Sequence, residues 1–255
     1  MSQRTPLPSI VEEAKAMVSE ATKSGLMLRV LGATAIYIHC PKFHSLFDTL
    51  GRRLSDIDFV SYSIFNEKIE LFMKQMGYVG RGKFNSFYGK TRLIFDDPSN
   101  QRYVDIFFDE LRMSHTVRFV GRLELDNPTI TITDLLLEKM QIAKINEKDV
   151  KDTLVMLQEH ELRNEEKDCI NHEYIAKQLA GDWGYWFTVT TNLQKTRDAA
   201  LSHPVLDEDQ KKTAVAKLDN LIQRIDSEPK GTRWKMRARI GTKRKWYEEV
   251  EEVRR

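Results

Sequence analysis

The spacing of apolar residues changes along this chain, and that change constrains the fold more than any other feature. Helical patterns alternate with short β-rich runs at 26–31, 57–62, 92–95, 103–108, 116–120 and 129–132. Beyond the almost wholly polar stretch 161–168, only helical patterns occur, at about 171–180, 183–201, 207–226 and 230–250. We therefore predict an α+β fold, with a small mixed β-sheet flanked by helices over residues 1–160 and an all-α C-terminal domain over residues 161–255.

The composition excludes several classes of protein. Of the 255 residues, 41% are hydrophobic and 31% are charged, which is typical of a folded chain rather than a disordered one. The chain has no run of 18 apolar residues and no apolar signal-peptide core at its start, so we expect no membrane contact and a cytoplasmic location. Its two cysteines, Cys40 and Cys169, are too few for a disulfide framework.

Three aspartates stand in or beside predicted apolar strands. Asp56 and Asp58 flank Ile57, so their side chains point to the same face of a strand, about 6–7 Å apart. Two such carboxylates repel each other unless a cation lies between them. Asp105 lies inside the run Tyr-Val-Asp-Ile-Phe-Phe, where an unpaired carboxylate is costly to bury. If the two strands are neighbours, the three acids form an oxygen-rich site suited to Mg²⁺ or Mn²⁺.

A turn of small residues precedes these acids. The segment Leu31-Gly32-Ala33-Thr34-Ala35 joins a predicted strand to a predicted helix. Small side chains let the backbone N–H groups at a helix start approach a phosphate. The turn is therefore a candidate phosphate site.

In this order, the turn, the Asp-x-Asp strand and the third Asp resemble the nucleotidyltransferase fold of the DNA polymerase beta superfamily. A narrower resemblance, over roughly residues 26–157, is to the stand-alone nucleotidyltransferases related to the abortive-infection AbiEii toxins. It rests on an arginine before the acids, either Arg52 or Arg53, and on a later lysine-bearing helix and paired-Asp motif, Asp134–Lys139, Lys144 and Lys148–Asp152. The chain departs from the pattern at Ala33, where a second glycine is usual, and at Lys148, where an arginine is frequent.

The resemblance implies a metal-dependent enzyme that moves a nucleoside monophosphate from an NTP to a hydroxyl acceptor, such as an RNA end, a protein side chain or a small molecule. Asp56 and Asp58 would hold two Mg²⁺ or Mn²⁺ ions, and Asp105 would complete the acceptor-side ion or act as base. The nucleotide-binding residues it implies are Gly32, Ala33, Thr34, Arg53, Ser55, Lys139, Asp149 and Asp152.

Within that set, Gly32 and Thr34 would touch phosphate oxygens, and Lys139 would offset the charge of the triphosphate. Asp149 and Asp152 would orient that lysine or contact the nucleotide. Plainer interpretations stay open: Lys139 and Lys144 as the solvated face of an amphipathic helix, and Asp149 as a helix N-cap.

The C-terminal region contains a basic segment and an aromatic group. Residues 230–245 hold eight Lys or Arg and no acid, with Trp234 and Trp246 among or beside them. This mixture suits a phosphate backbone and stacked bases, and it favours RNA as the acceptor. The candidate nucleic-acid-binding residues are Lys235, Arg237, Arg239, Lys243, Arg244 and Lys245. Alternatively, these charges pair with the glutamates that follow at 248–252. We interpret the aromatic group Trp183, Tyr185, Trp186 and Phe187 as core.

Two other functions are consistent with these residues. The chain could be a catalytically inactive module that binds a nucleotide or RNA on the same scaffold. It could also be a partner in a toxin–antitoxin pair. Turnover of an NTP distinguishes the enzyme from the inactive module, and an adjacent small antitoxin gene would indicate the toxin–antitoxin partner.

Overall fold

The computed structural model describes residues 4–250, which form eleven helices of six residues or more and nine short strands. The helices are α1 (Ile10–Lys23), α2 (Gly32–His39), α3 (His44–Thr49), α4 (Asn66–Gln75), α5 (Gly82–Tyr88), α6 (Ile132–Met140), α7 (Glu147–Glu159), α8 (His172–Gly181), α9 (Trp183–Ser202), α10 (Glu208–Ser227) and α11 (Thr232–Ile240). The strands are β1 (Arg29–Leu31), β2 (Ile57–Ser61), β3 (Val79–Gly80), β4 (Arg92–Asp97), β5 (Arg102–Phe108), β6 (Glu110–Arg112), β7 (Thr116–Arg118), β8 (Glu161–Arg163) and β9 (Cys169–Asn171).

The chain divides into two compact units. The first comprises residues 4–41, 53–111 and 118–131, and the second comprises 42–52, 112–117 and 132–250. The predicted boundary after residue 160 differs from this division. The reason is that α6 and α7, which precede residue 160, pack against each other and against α9, and α7 also packs against α10.

The first unit is built on a five-stranded mixed sheet with the strand order β1-β2-β5-β4-β3. β2 and β5 are parallel, whereas every other neighbouring pair in this sheet is antiparallel. The mixed sheet confirms the prediction, because the runs at 26–31, 57–62, 92–95 and 103–108 each overlap one of its strands. The run at 129–132 contributes only an isolated bridge between Thr129 and Val30.

The second unit is mainly helical, which confirms the C-terminal helical region. The prediction that this region is entirely α-helical is wrong, because β8 and β9 pair as a small parallel sheet. Each strand is three residues long, too short to show an alternating pattern in the sequence.

The last predicted helix, 230–250, is shorter in the structure. It ends at Ile240, because Gly241 takes the left-handed φ of 59° and interrupts the helix. The chain then returns to α9, where the Trp246 indole donates a hydrogen bond to Thr188 at 3.1 Å. A Cβ on Gly184 would lie 2.6 Å from the Trp246 carbonyl oxygen, so this packing needs a glycine there.

The aromatic group lies in this part of the second unit. Trp183 and Tyr185 are buried, which confirms them as core, and Trp186 and Phe187 are half-buried. Among residues 4–250, no helix combines the length and the apolar character that crossing a membrane requires.

Candidate functional site

The turn between β1 and α2 is shaped by Gly32. This residue has a φ of +72°, and a Cβ built on it would lie 2.8 Å from Oδ2 of Asp58. Glycine therefore allows the Asp58 carboxylate to lie against the start of α2. The preceding residue, Leu31, offers no capping side chain. The first N–H groups of a helix carry partial positive charge, which favours an anion at this position.

The sheet places two of the three predicted acids together. Asp58 on β2 and Asp105 on β5 are direct partners in the parallel register, so both side chains lie on the same face. Asp56 lies two residues before Asp58, just outside the start of β2. The expectation that the two aspartate-bearing strands are neighbours is confirmed.

Two hydroxyl groups hold Asp56 in place. Ser55 Oγ donates to Oδ1 of Asp56 at 3.2 Å, and Thr34 Oγ1 donates to its main-chain oxygen at 3.2 Å. Thr34 is only 2% exposed. Its predicted contact with a phosphate is therefore not what the structure shows, because the hydroxyl is turned inward to the acid-bearing segment. Ala33, the second residue of α2, is half-buried.

Sequence analysis missed a residue of this site, Arg92 on β4. Its guanidinium binds both carboxylate oxygens of Asp105, with Nε 3.1 Å from Oδ1 and Nη2 2.9 Å from Oδ2. Asp105 is 2% exposed, so this ion pair compensates much of the cost of burying its charge. Arg92 pairs with Phe107 across the two strands, which makes it a diagonal neighbour of Asp105 on the same face.

The donor set around these acids fits a hard divalent cation. Asp56, Asp58, Asp105 and Ser55 offer only oxygen atoms, as Mg²⁺ and Mn²⁺ prefer, and the missing side chain of Gly32 lets the Asp58 carboxylate approach the start of α2. Within the described part of the chain, however, no group of three or more His, Cys, Asp or Glu side chains is arranged to hold a metal ion. A three-carboxylate site therefore requires these side chains to rearrange.

The second unit contains a separate polar cluster around Lys139. The Lys139 ammonium lies 3.2 Å from Asp149 and 3.2 Å from Asp152, and 3.7 Å from Glu138. Arg52 binds the same Asp152 through two hydrogen bonds of 2.6 and 2.9 Å. The structure thus brings together the predicted Lys139, Asp149 and Asp152. Glu138 could not be found from the sequence, because it lies next to Lys139 on a helix for which a solvated face was an open interpretation.

The plain alternatives are wrong for Lys139 and for Asp149. Lys139 is 8% exposed and so is not on a solvated face. Lys144, which lies beyond the end of α6, is exposed. The N-cap of α7 is Asn146, whose side chain accepts a hydrogen bond from the backbone N–H of Asp149. Asp149 is instead an ion-pair partner of Lys139.

The charge of Lys139 is already balanced inside the cluster. Burial lowers the pKa of Lys139, but the carboxylates of Asp152, Glu138 and Asp149 more than offset this, and the pKa is raised above its usual value. Three carboxylates face two cations, Lys139 and Arg52. The contacts therefore favour the prediction that Asp149 and Asp152 orient the lysine over the prediction that it offsets triphosphate charge.

The structure distinguishes between Arg52 and Arg53, the two adjacent arginines between which the sequence did not decide. Arg52 is buried and bound to Asp152, whereas Arg53 is exposed. Of the two, Arg53 is the one that can contact a ligand.

The basic segment is mostly exposed. Lys235, Arg239, Lys243 and Arg244 face solvent. Arg237 is half-buried, its guanidinium lies 4.6 Å from the Trp183 ring centre, and it donates to the carbonyls of Gly241 and Arg244, so these contacts favour a structural role over nucleic-acid binding. The exposed Lys245 forms an ion pair with Glu249 at 3.0 Å, as the alternative of pairing with the following glutamates predicts.

No protein-family model matches this chain, and no curated protein or solved structure matches it either. The resemblance to nucleotidyltransferases stays a prediction from the sequence. The geometry of the two polar clusters and of the basic segment is what supports a function.

Proposed function

We propose that this protein is a metal-dependent nucleotidyltransferase, of the AbiEii-like kind within the DNA polymerase beta superfamily, that transfers a nucleoside monophosphate from an NTP to a hydroxyl acceptor. One observation carries the proposal. Asp58 and Asp105 are direct partners on parallel strands, and Asp58 lies against a helix start that only glycine could form there.

The residues of the first unit have different roles in binding the metal ions and the phosphates. Mg²⁺ or Mn²⁺, when bound to Asp56, Asp58 and Asp105, neutralises phosphate charge and makes the acceptor hydroxyl more acidic. Ser55 and Thr34 position Asp56 through the hydrogen bonds described above. The backbone N–H groups of Gly32 and Ala33 bind phosphate oxygens at the start of α2. The exposed Arg53 provides a further positive charge for the phosphates.

The cluster in the second unit has a positioning role. Asp149 and Asp152 fix the direction of the Lys139 ammonium, and Arg52 fixes Asp152 in turn. Lys139 already contacts three carboxylates. If it binds a ligand, that contact is made in addition to these three ion pairs.

RNA is the acceptor that the surface favours. Lys235 and Arg239 lie four residues apart on α11, so they share one exposed face, and neither has an ion-pair partner among residues 4–250. Such a face attracts a phosphate backbone, with an affinity that falls as salt rises.

The test is nucleotide binding followed by transfer. The wild type, Asp58→Asn and Asp96→Asn are mixed with ATP, GTP, CTP or UTP, with Mg²⁺ or with EDTA, and followed by thermal shift and calorimetry. Asp96 is a matched control, because it is on the same sheet but pairs with Arg81. An NTP at 100 times its dissociation constant should add about 2.7 kcal/mol to the free energy of unfolding.

We expect Mg²⁺-dependent binding in the wild type and in Asp96→Asn, and loss of binding and transfer in Asp58→Asn. Equal binding and transfer in Asp58→Asn would remove the metal assignment.

The inactive binding module is the second candidate, and the Arg92–Asp105 ion pair favours it. An acid that stays bound to both arms of an arginine is a weaker metal ligand and a weaker base. NTP binding without transfer to labelled RNA or protein acceptors would support this candidate. The toxin–antitoxin role stays a prediction, which the presence of a neighbouring antitoxin gene would test.

A further inference from the structure

The sheet of the first unit contains two bidentate Arg–Asp pairs that can be compared directly. Arg81 binds Asp96 with Nη2 2.9 Å from Oδ1, near the outer edge of the sheet. Arg92 binds Asp105 at the same distance. The second pair differs in its neighbour, because Asp105 is the direct strand partner of another carboxylate, Asp58.

Because Asp58 is its neighbour, Asp105 needs a nearby positive charge, and Arg92 provides one. Side chains of directly paired residues on adjacent strands start about 4.8 Å apart, so two carboxylates there repel each other unless a cation is close. In the structure the Arg92 guanidinium is such a cation for Asp105. It binds both oxygens of Asp105, so it competes with a metal ion for that carboxylate.

We propose that Arg92 is a built-in counter-cation of Asp105, displaced when the metal binds, and that its freed guanidinium then binds a phosphate of the nucleotide. This inference rests on the proposed function. The exchange keeps charges matched, since Asp105 passes from guanidinium to metal while Arg92 passes from carboxylate to phosphate. Arginine suits this exchange because its planar fork fits a carboxylate and a phosphate equally well.

The surroundings of Arg92 allow a short movement. Its side chain is 20% exposed, and its guanidinium lies 4.9 Å from the ring centre of Phe107 and 5.9 Å from that of Phe84. The faces of these two rings attract the Arg92 guanidinium, so it stays nearby when its hydrogen bonds to Asp105 are broken. The exchange thus needs a rotation of one side chain.

One consequence is that metal and nucleotide favour each other's binding. A phosphate that takes Arg92 makes Asp105 available to the metal, and by thermodynamic linkage the metal improves nucleotide binding to the same extent. Arg92 is on this view a positioning residue, because it acts on the metal through Asp105.

The test measures binding of Mn²⁺ alone to the full chain, by electron paramagnetic resonance of the free ion. The variants are Arg92→Gln, Arg92→Lys, Arg81→Gln as the matched ion-pair control, and Asp58→Asn. We expect Arg92→Gln to bind Mn²⁺ about tenfold more tightly than the wild type, because a charge-assisted hydrogen-bonded competitor is gone. Arg92→Lys should be intermediate, since a lysine keeps the charge and loses the fork. Arg81→Gln should match the wild type.

The second readout is the NTP. In the presence of saturating Mg²⁺, Arg92→Gln should bind the NTP about tenfold more weakly in calorimetry, with partial rescue in Arg92→Lys. Unchanged or weaker Mn²⁺ binding in both Arg92 variants, together with loss of binding in Asp58→Asn, overturns the role of Arg92 and leaves the proposed function standing. Wild-type Mn²⁺ binding in Asp58→Asn overturns the metal site itself. A melting curve for each variant separates these results from unfolding.

Discussion

Each unit of this protein buries an aspartate that is held by the two arms of an arginine, and the two aspartates differ in what else is near them. In the second unit, Asp152 is fully buried and receives both Arg52 and Lys139. In the first unit, Asp105 receives Arg92, which is partly exposed, and it lies beside the carboxylate of Asp58.

This difference determines which of the two carboxylates can exchange its arginine for another cation. A carboxylate with two buried cations is satisfied, and removing it leaves charges that water does not reach. A carboxylate that shares one half-exposed cation with an acidic neighbour gains from a further cation. The same Arg–Asp chemistry is therefore structural in the second unit and suited to ligand binding in the first.

The largest expected effect is on stability. Asp152→Ala should lower the free energy of unfolding by about 3–5 kcal/mol, because it leaves Arg52 and Lys139 buried without this partner. Asp105→Ala should cost about 1–3 kcal/mol, because it leaves the partly exposed Arg92 without this partner while the repulsion with Asp58 disappears. Urea unfolding of both variants measures the difference. A larger loss in Asp105→Ala would contradict the comparison.

The next effect concerns Gly32. Gly32→Ala should lose about 2–3 kcal/mol, because it combines a left-handed φ with a Cβ 2.8 Å from the Asp58 carboxylate. Gly25→Ala is the matched control, since Gly25 has a φ of +70° and no atom within 4 Å of its Cβ position. It should lose about 1 kcal/mol and keep metal binding, whereas Gly32→Ala should lose it. Equal stability losses in the two variants would mean that the contact with Asp58 has no energetic weight.

A third effect extends the comparison to a neutral group of the second unit. Burial lowers the pKa of His115 to about 4, slightly countered by Asp182, and its ring accepts or donates a 2.8 Å hydrogen bond with Thr188. Between pH 6.5 and about 4 the unfolded chain binds a proton at this residue and the folded chain does not, so stability falls as the pH falls.

We expect this fall to exceed that of His115→Gln by about 3 kcal/mol between pH 7 and pH 4, as measured by urea unfolding at both pH values. Parallel losses in the two proteins would show that His115 is not the group that titrates.

The smallest effect on stability belongs to the basic face of α11. Replacing Lys235 and Arg239 with glutamate should change the free energy of unfolding by less than about 0.5 kcal/mol, because both side chains are exposed. Binding of single-stranded RNA should weaken, and the slope of log affinity against log salt should fall by about 1.4. Lys195 and Lys212, exposed on α9 and α10, supply the control pair. RNA binding equal to that of the control would remove the acceptor surface.

The sequence predicted the strands that carry the acids because their apolar runs are five residues or longer and alternate with clear helices. It also predicted that Asp56 and Asp58 share a face, since this follows from strand geometry alone. The role of Arg92 could not be predicted, because it depends on the register between β4 and β5, which the pattern of apolar residues does not fix.

The burial of Lys139 could not be predicted from the sequence, for a different reason. Every residue of α6 is buried, including the acids Asp134 and Glu138, so the polar positions of this helix do not mark a solvated face. A lysine beside a glutamate on a helix normally indicates a face that is exposed to solvent. Here only the packing of α6 against α7 and α9 shows that the charges face each other.

The parallel pairing of β2 with β5 also makes the acid pair a long-range contact. β4 and β5 are joined by a short turn, whereas α4, β3, α5 and β4 lie between β2 and β5 along the chain. Contacts between residues so far apart in sequence carry a large loop-closure cost. The pairing of Asp58 with Asp105 therefore depends on the folded sheet and not on any local segment of the chain.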